Sequence, residues 1–231
     1  MTAAFKCFSK ELFQFLEELA DNNKRDWFND NKDRYLNDVV EPVLDFIEAV
    51  GDELDNISPH FTADTRRNGG SMFRIYRDAR FSKDKRPYKE NVGCHFRHKL
   101  GKSAHAPGFY LHLQPGNTFI GAGIWKPVGE TLSGIRDAIT EQPESWHKIV
   151  NDKNFIQRFA QVEGERLKRP PRGYDADHPC IEDLKLKSFF VKQPIDDKQA
   201  MSPRFFKEVM TAYAEAAPLM KFISQSIDVP F

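Results

Sequence analysis

Three arginines fall within seven residues, in the run Arg74-Ile75-Tyr76-Arg77-Asp78-Ala79-Arg80. The planar guanidinium fork matches a carboxylate or phosphate through two parallel hydrogen bonds, so such a cluster is suited to holding an anion. Lys83, Lys85, Arg86 and Lys89 follow closely, and Tyr88 stands among them. If the run is extended, its side chains alternate between faces. Phe73, Ile75, Arg77, Ala79 and Phe81 then share one side, and Arg74, Tyr76, Asp78 and Arg80 the other. An arginine on the mainly apolar side must be paired or bind an anion, because a lone buried charge is expensive. The pattern defines a candidate ligand-binding set: Arg74, Arg77 and Arg80 as anchors, Asp78 as their orienter, and Lys85 and Tyr88 as secondary contacts. A cationic field that lowered the pKa of Tyr88 would make it a proton-transfer group. Nothing in the run assigns a catalytic residue or names a reaction.

A second basic stretch, residues 168–174, contains Lys168, Arg169 and Arg172 on a loop stiffened by Pro170 and Pro171. Arg172 and its neighbours are placed to close over the same anion, with Tyr174 stacking on its organic part. Two other readings of the basic residues stay open. The arginines and aspartates can form an internal network, or residues 66–102 can form an exposed surface for nucleic acid or a protein partner.

Charge layout bears on all three readings. The 231 residues carry 34 basic and 34 acidic side chains, but unevenly. Residues 1–65 hold 6 basic and 15 acidic groups, residues 66–102 hold 12 and 3, and the remainder 16 of each. An acidic N-terminal part can therefore lie against a basic centre. A basic face left open would attract phosphate or carboxylate groups. Zero net charge argues against a general nucleic-acid coat.

Other motifs are weaker. Gly121-Ala122-Gly123 lies within a strand pattern and does not open a helix, so it reads as a close approach of backbone or ring, not a phosphate loop. His95 and His98 point to opposite faces of a strand. Asp175, Asp177 and His178, even with His112, are as well explained by turn capping. Without Gly-x-Ser-x-Gly no serine is placed for attack. No metal site and no cofactor is expected. Cys7, Cys94 and Cys180 are odd in number and widely spaced, which fits free thiols in a reducing compartment.

The elements that must position these groups follow from periodicity. Leu12, Phe15, Leu16 and Leu19 repeat with helical spacing after Ser9, a capping residue. A longer helical pattern runs from Lys24 to Val50, with Pro42 expected to kink it or start a new segment. Residues 60–66, 71–78, 92–97, 108–114 and 118–125 read as short strands, the last two as a hairpin across Pro115-Gly116-Asn117. Residues 130–141, 143–151 and 155–162 read as helices, and 184–191 as a short helix leading into a strand. A final helix follows Ser202 and Pro203, bent or ended at Pro218. Close strand spacing implies a mainly antiparallel sheet. The fold class is α+β, a central sheet packed by N-terminal and C-terminal helices. The expected organisation is one domain over 1–231: helices in 9–55, sheet in 60–125, a helical region in 128–231. No apolar run reaches the ~20 residues of a membrane helix, and charges at Lys6, Lys10 and Glu11 speak against a secretory signal. A cytoplasmic location without membrane association is expected, and the oligomeric state is not specified.

The ordered pattern Arg74-x-x-Arg77-Asp78-x-Arg80-Phe81-x-x-Asp84-Lys85-x-x-Tyr88 resembles the signature of a bacterial family, also found in some fungi, known as domain of unknown function 2461. Phe15-Leu16, Asn22-Asn23 and Trp27-Phe28 precede it. Gly108-Phe109-Tyr110-Leu111-His112, Gly121-Ala122-Gly123-Ile124-Trp125, Pro171-Arg172-Gly173-Tyr174 and His178-Pro179 follow in order. The resemblance implies a chain of about this size whose hallmark is residues 74–88, and it implies no activity. The functional expectation is thus an anionic small molecule, phosphate- or carboxylate-bearing, held in an arginine-rich pocket.

Overall fold

The computed structural model describes residues 5–80, 82–101 and 106–231. Phe81, placed above on the apolar side of the arginine run, lies outside them. Helix α1 (Lys10–Asp21) buries Leu12, Phe15, Leu16 and Leu19, the face its spacing defines. The next pattern is broken into segments, and Pro42 starts a new one, the second of the two outcomes expected there. It divides into α2 (Arg25–Asp30), a short α3 (Lys32–Arg34), a wider π-helical turn (Tyr35–Val40) and α4 (Glu41–Leu54). Pro42 lies in the first turn of α4, where a missing N–H costs least. The widened turn before it absorbs the interrupted hydrogen-bond ladder.

Four strands form an antiparallel meander: β1 (Val92–Arg97), β2 (Gly108–Leu113), β3 (Thr118–Ile124) and β4 (Phe189–Ile195), in that spatial order. The α+β class and the β2–β3 hairpin agree with the sequence. Residues 60–66 and 71–78 differ from it, forming no strand and pairing with the sheet through isolated bridges, Phe61 with His98 and Met72 with Cys94. A further bridge joins Tyr76 to Tyr88. Between the last two bridges one side advances from Met72 to Tyr76 and the other from Tyr88 to Cys94. That unequal count breaks the ladder with a bulge. Burial still alternates there, with Ile75 buried and Arg74, Tyr76, Asp78 and Arg80 exposed. Beyond β4, the Glu163 and Phe190 backbones exchange hydrogen bonds of 2.7 and 3.3 Å. Irregular chain thus covers both outer strands.

One face of the sheet closes the core. Helix α10 (Phe205–Gln225) lies against it, with the Tyr213 ring 4.9 Å from Phe109. From α4, Phe46 meets Phe96 at 6.1 Å. Helices α5 (Glu130–Glu141), α6 (Pro143–Val150) and α7 (Lys153–Phe159) complete this layer. The fully buried Trp146 of α6 donates its indole N–H to Asp183 at 2.7 Å, beside the short α8 (Ile181–Leu184). A capping box formed by Asp196 and Gln199 starts α9 (Asp197–Ala200). Pro218 does not end α10. It and Ala214, whose carbonyl loses its donor, are both exposed, so water can serve the freed oxygen. Among the described residues no helix is long and apolar enough to cross a membrane.

Candidate functional site

The second face of the sheet is built differently. Strand alternation and the observed register place Gly93, His95 and Arg97 of β1 beside His112, Tyr110 and Gly108 of β2. Tyr110 then meets Gly121 of β3, Gly108 meets Gly123, and Gly123 meets Phe190 of β4. Glycines strip the middle of this face of side chains and leave a trough of about 330 Å³. Phe73, His95 and Tyr110 form its wall toward β1, while Phe119, Trp125 and Phe190 close the other side. Space here depends on glycine. A Cβ at Gly108 would lie 2.2 Å from His95 Nε2. At Gly123, with φ +135°, a Cβ would lie 2.2 Å from the Phe189 carbonyl oxygen and in a backbone region strained for other residues.

His95 is the polar group of the wall. Its residue is 8% exposed, and its ring has no hydrogen-bond partner among the described residues. Burial, and to a smaller degree the Arg97 charge, pull its pKa down to about 4, so the imidazole is neutral at physiological pH. A neutral imidazole offers one donor and one acceptor, and buried polar groups of this kind normally have partners. Tyr110 differs, since its hydroxyl meets His112 Nδ1 at 3.2 Å. His112 Nε2 lies 3.0 Å from Gln114 Oε1, which can only accept, so Nε2 carries the proton and Nδ1 accepts from Tyr110 and Asn91. Burial also pushes the Tyr110 phenol well up and the His112 imidazole down, so both are uncharged near neutrality.

The arginine segment flanks the β1 wall through Phe73, whose ring lies 6.0 Å from His95 and 6.2 Å from Tyr110. The exposed Lys83 apart, the cations here fall into two groups. Arg77 pairs with Asp84 at 2.6 Å, Arg80 grips Asp78 through both carboxylate oxygens, and Arg86 bonds Asp84 and Glu90. Hydrogen bonds from Arg80 pull the Asp78 pKa down to about 2, and those from Arg86 and Arg77 hold Asp84 far below the carboxylate range. Lys85 ties its own loop by donating to the Ala79 carbonyl at 2.9 Å. The second group is Arg74, Lys89 and Arg97, none of which takes part in an ion pair among the described residues. Arg74 is exposed and close enough to Lys89 to repel its charge. Lys89 Nζ sits 5.4 Å from the centre of the Phe73 ring, and Arg97 donates to the Gly69 carbonyl at 3.1 Å.

Other residues singled out by the sequence lie elsewhere. Tyr88 is buried and stacked on Phe28 at 4.1 Å, and burial raises its phenol pKa instead of a cationic field lowering it. The Tyr174 hydroxyl donates to Asp137 at 2.8 Å, which fixes it on α5, and Arg172 is exposed. Among the described residues no hydrogen bond or ion pair joins that loop to the arginine segment. Asp175 caps its own turn by accepting from the Asp177 N–H at 3.0 Å, and among the described residues no group of three His, Cys, Asp or Glu side chains is placed to hold a metal ion. Cys180 Sγ lies 3.2 Å from His147 Nε2, but burial, Asp183 and Glu144 push its thiol pKa up and leave it a poor nucleophile.

The trough was missed because its residues look like packing when read singly. A signal was present: in 108–112 and 119–125 alternate positions read Gly, Tyr, His and Phe, Gly, Gly, Trp, too little bulk for a packed face and too aromatic for a solvated one.

Fold and site together define an α+β protein whose antiparallel meander carries a glycine-floored aromatic trough beside a cationic segment. The chain belongs to the family described as conserved hypothetical protein (DUF2461), whose model matches residues 11–222. No curated protein and no solved structure matches it. The match spans both the arginine segment and the trough.

Proposed function

We propose that the protein binds a small organic anion with a flat apolar body, which lies in the trough while its phosphate or carboxylate meets Arg74 and Lys89 beside Phe73. The observation that carries this reading is His95, an uncharged imidazole nine-tenths buried in the trough wall without a partner among the described residues. A buried hydrogen-bonding group facing a cavity is satisfied when a guest supplies the complementary atom. Aromatic walls suit a planar body, and two neighbouring cations outside ion pairs suit its charge. The anion expected from the sequence thus finds its support beside the arginine segment, not among Arg77, Arg80 and Arg86. The same pairing with Asp78, Asp84 and Glu90 leaves less support for a nucleic-acid surface.

Calorimetric titration with 2-naphthoate and with its uncharged amide tests the reading. Saturable binding of the acid, weaker binding of the amide, and loss of both in Gly121→Val are expected, since valine fills the floor. The reading is wrong if neither compound binds, or if Gly121→Val binds them as well as the parent protein does.

A further inference from the structure

Lys89 stands just before β1, and its ammonium lies over Phe73, a wall residue of the trough. Several other lysines are engaged, and the exposed Lys126 lies over the Trp125 ring. Lys85 and Lys99 donate to backbone carbonyls, and Lys185, Lys187 and Lys192 pair with glutamates. The Lys89 side chain makes no hydrogen bond or ion pair among the described residues, lies half-buried against an aromatic ring, and has the Arg74 charge close by. Glu90, next in the chain, is turned away to Arg86 and Asn23. On the trough side stand Tyr110 and His112, both uncharged near neutrality. No carboxylate among the described residues holds the amine in its charged form.

We propose that Lys89 is a nucleophilic amine that forms a reversible imine with an aldehyde or ketone carried by the ligand of the trough, which makes the ligand class a planar carbonyl compound bearing an acidic group. The inference rests on the binding function proposed above. Desolvation first, and then Arg74, lower the Lys89 pKa, which raises its share of free amine at neutral pH. A lysine in apolar surroundings next to a second cation is a recurrent way to activate an amine for this chemistry. The ammonium first gives a proton to solvent. The nitrogen lone pair then attacks the carbonyl carbon, the C–O π electrons move to oxygen, and proton transfer gives a carbinolamine. Loss of that hydroxyl as water leaves the C=N bond. The sum is amine plus carbonyl giving imine plus water, with no change of oxidation state, and Arg74 remains available for the acidic group.

Reductive trapping tests it. The full chain is incubated at pH 7 with pyridoxal 5′-phosphate, a planar aldehyde bearing a phosphate, then treated with sodium borohydride and digested for peptide mass analysis. The expected result is one dominant adduct on Lys89, in roughly tenfold excess over exposed lysines such as Lys168. Adduct at that position disappears in Lys89→Met. With pyridoxal, which lacks the phosphate, Arg74→Gln slows labelling at pH 7, and raising the pH restores the rate. Uniform labelling of surface lysines overturns the inference, as does a Lys89 rate that Arg74→Gln leaves unchanged. If 2-naphthoate binds while Lys89 stays unlabelled, the imine fails and the binding reading stands. If Lys89 labels fastest yet 2-naphthoate at saturating concentration neither binds nor protects it, the binding reading fails instead.

Discussion

The two faces of the sheet use the same four strands and the same alternation, yet one is filled and the other hollowed. On the filled face Phe96, Phe109, Leu111 and Val191 are fully buried, with Phe96 against Phe46 of α4 and Phe109 against Tyr213 of α10. On the hollowed face Gly108, Gly121 and Gly123 occupy adjoining positions where bulk would normally sit. A glycine inside a strand costs about 0.5–1 kcal/mol relative to alanine. Three together are a price in stability for open space, and the rings around them keep that space apolar. The contrast separates residues that hold the protein together from residues that shape a cavity, although they alternate along one strand.

The sharpest break of that contrast uses neighbours on β2. Phe109→Ala should lower unfolding stability by about 3–5 kcal/mol, read from urea denaturation, because it opens the core against Phe61 and Tyr213. It should leave 2-naphthoate affinity of the folded protein nearly unchanged. Tyr110→Ala should cost only about 1–2 kcal/mol and weaken the probe. Equal stability losses would erase the distinction between the faces.

Acid gives the next largest effect. His95 titrates near 4 when folded and near 6.5 when unfolded, so between these values the unfolded chain binds the extra proton. Stability therefore falls as pH drops through that window, by up to roughly 3 kcal/mol, and gains nothing from this group above it. Urea midpoints at pH 7 and pH 4 should differ less in His95→Gln than in the parent. An unchanged difference would place the acid sensitivity elsewhere.

Filling the floor comes third. Gly121→Ala should move stability by no more than about 1 kcal/mol, because the tightest contact of its Cβ is the Val191 carbonyl oxygen at 3.2 Å, with Phe119 and Tyr110 at 3.8 Å, while the trough loses affinity. Gly123→Ala should be clearly worse for folding, given its backbone angle. The smallest effect belongs to Arg80→Gln. Its partner Asp78 is exposed, and an exposed pair adds little, so the melting temperature should be nearly unmoved and insensitive to salt.

Much of the architecture was legible in the sequence. Helical spacing in α1, the Pro-Gly-Asn turn between β2 and β3, and the apolar stripe of α10 are local signals that tertiary packing reinforces. The segment around Arg74 was legible in its alternation but not in its pairing, since a bulge depends on what the neighbouring strand does. For the site, composition marked the cationic segment, whereas the partners of each guanidinium depend on loop geometry. Asp84 is seven residues from Arg77 and takes it together with Arg86. The same proximity of acid and base in the chain that suggested an anion pocket satisfies most of the forks internally. Lys89, less prominent in the sequence, is left beside Phe73 of the trough wall.

The bridges that flank the meander have a consequence for the protein in a crowded solution. A bare outer strand offers a row of amides on which another chain can add and propagate. Here the Ser71 carbonyl accepts from the His95 N–H at 2.8 Å on one flank, and Glu163 and Phe190 bond each other on the opposite one. Both flanks are occupied by folded chain whose bulge and bends cannot themselves template a regular ladder. The molecule can thus keep one broad sheet surface accessible for recognition while denying neighbours the lateral contacts from which fibrils grow.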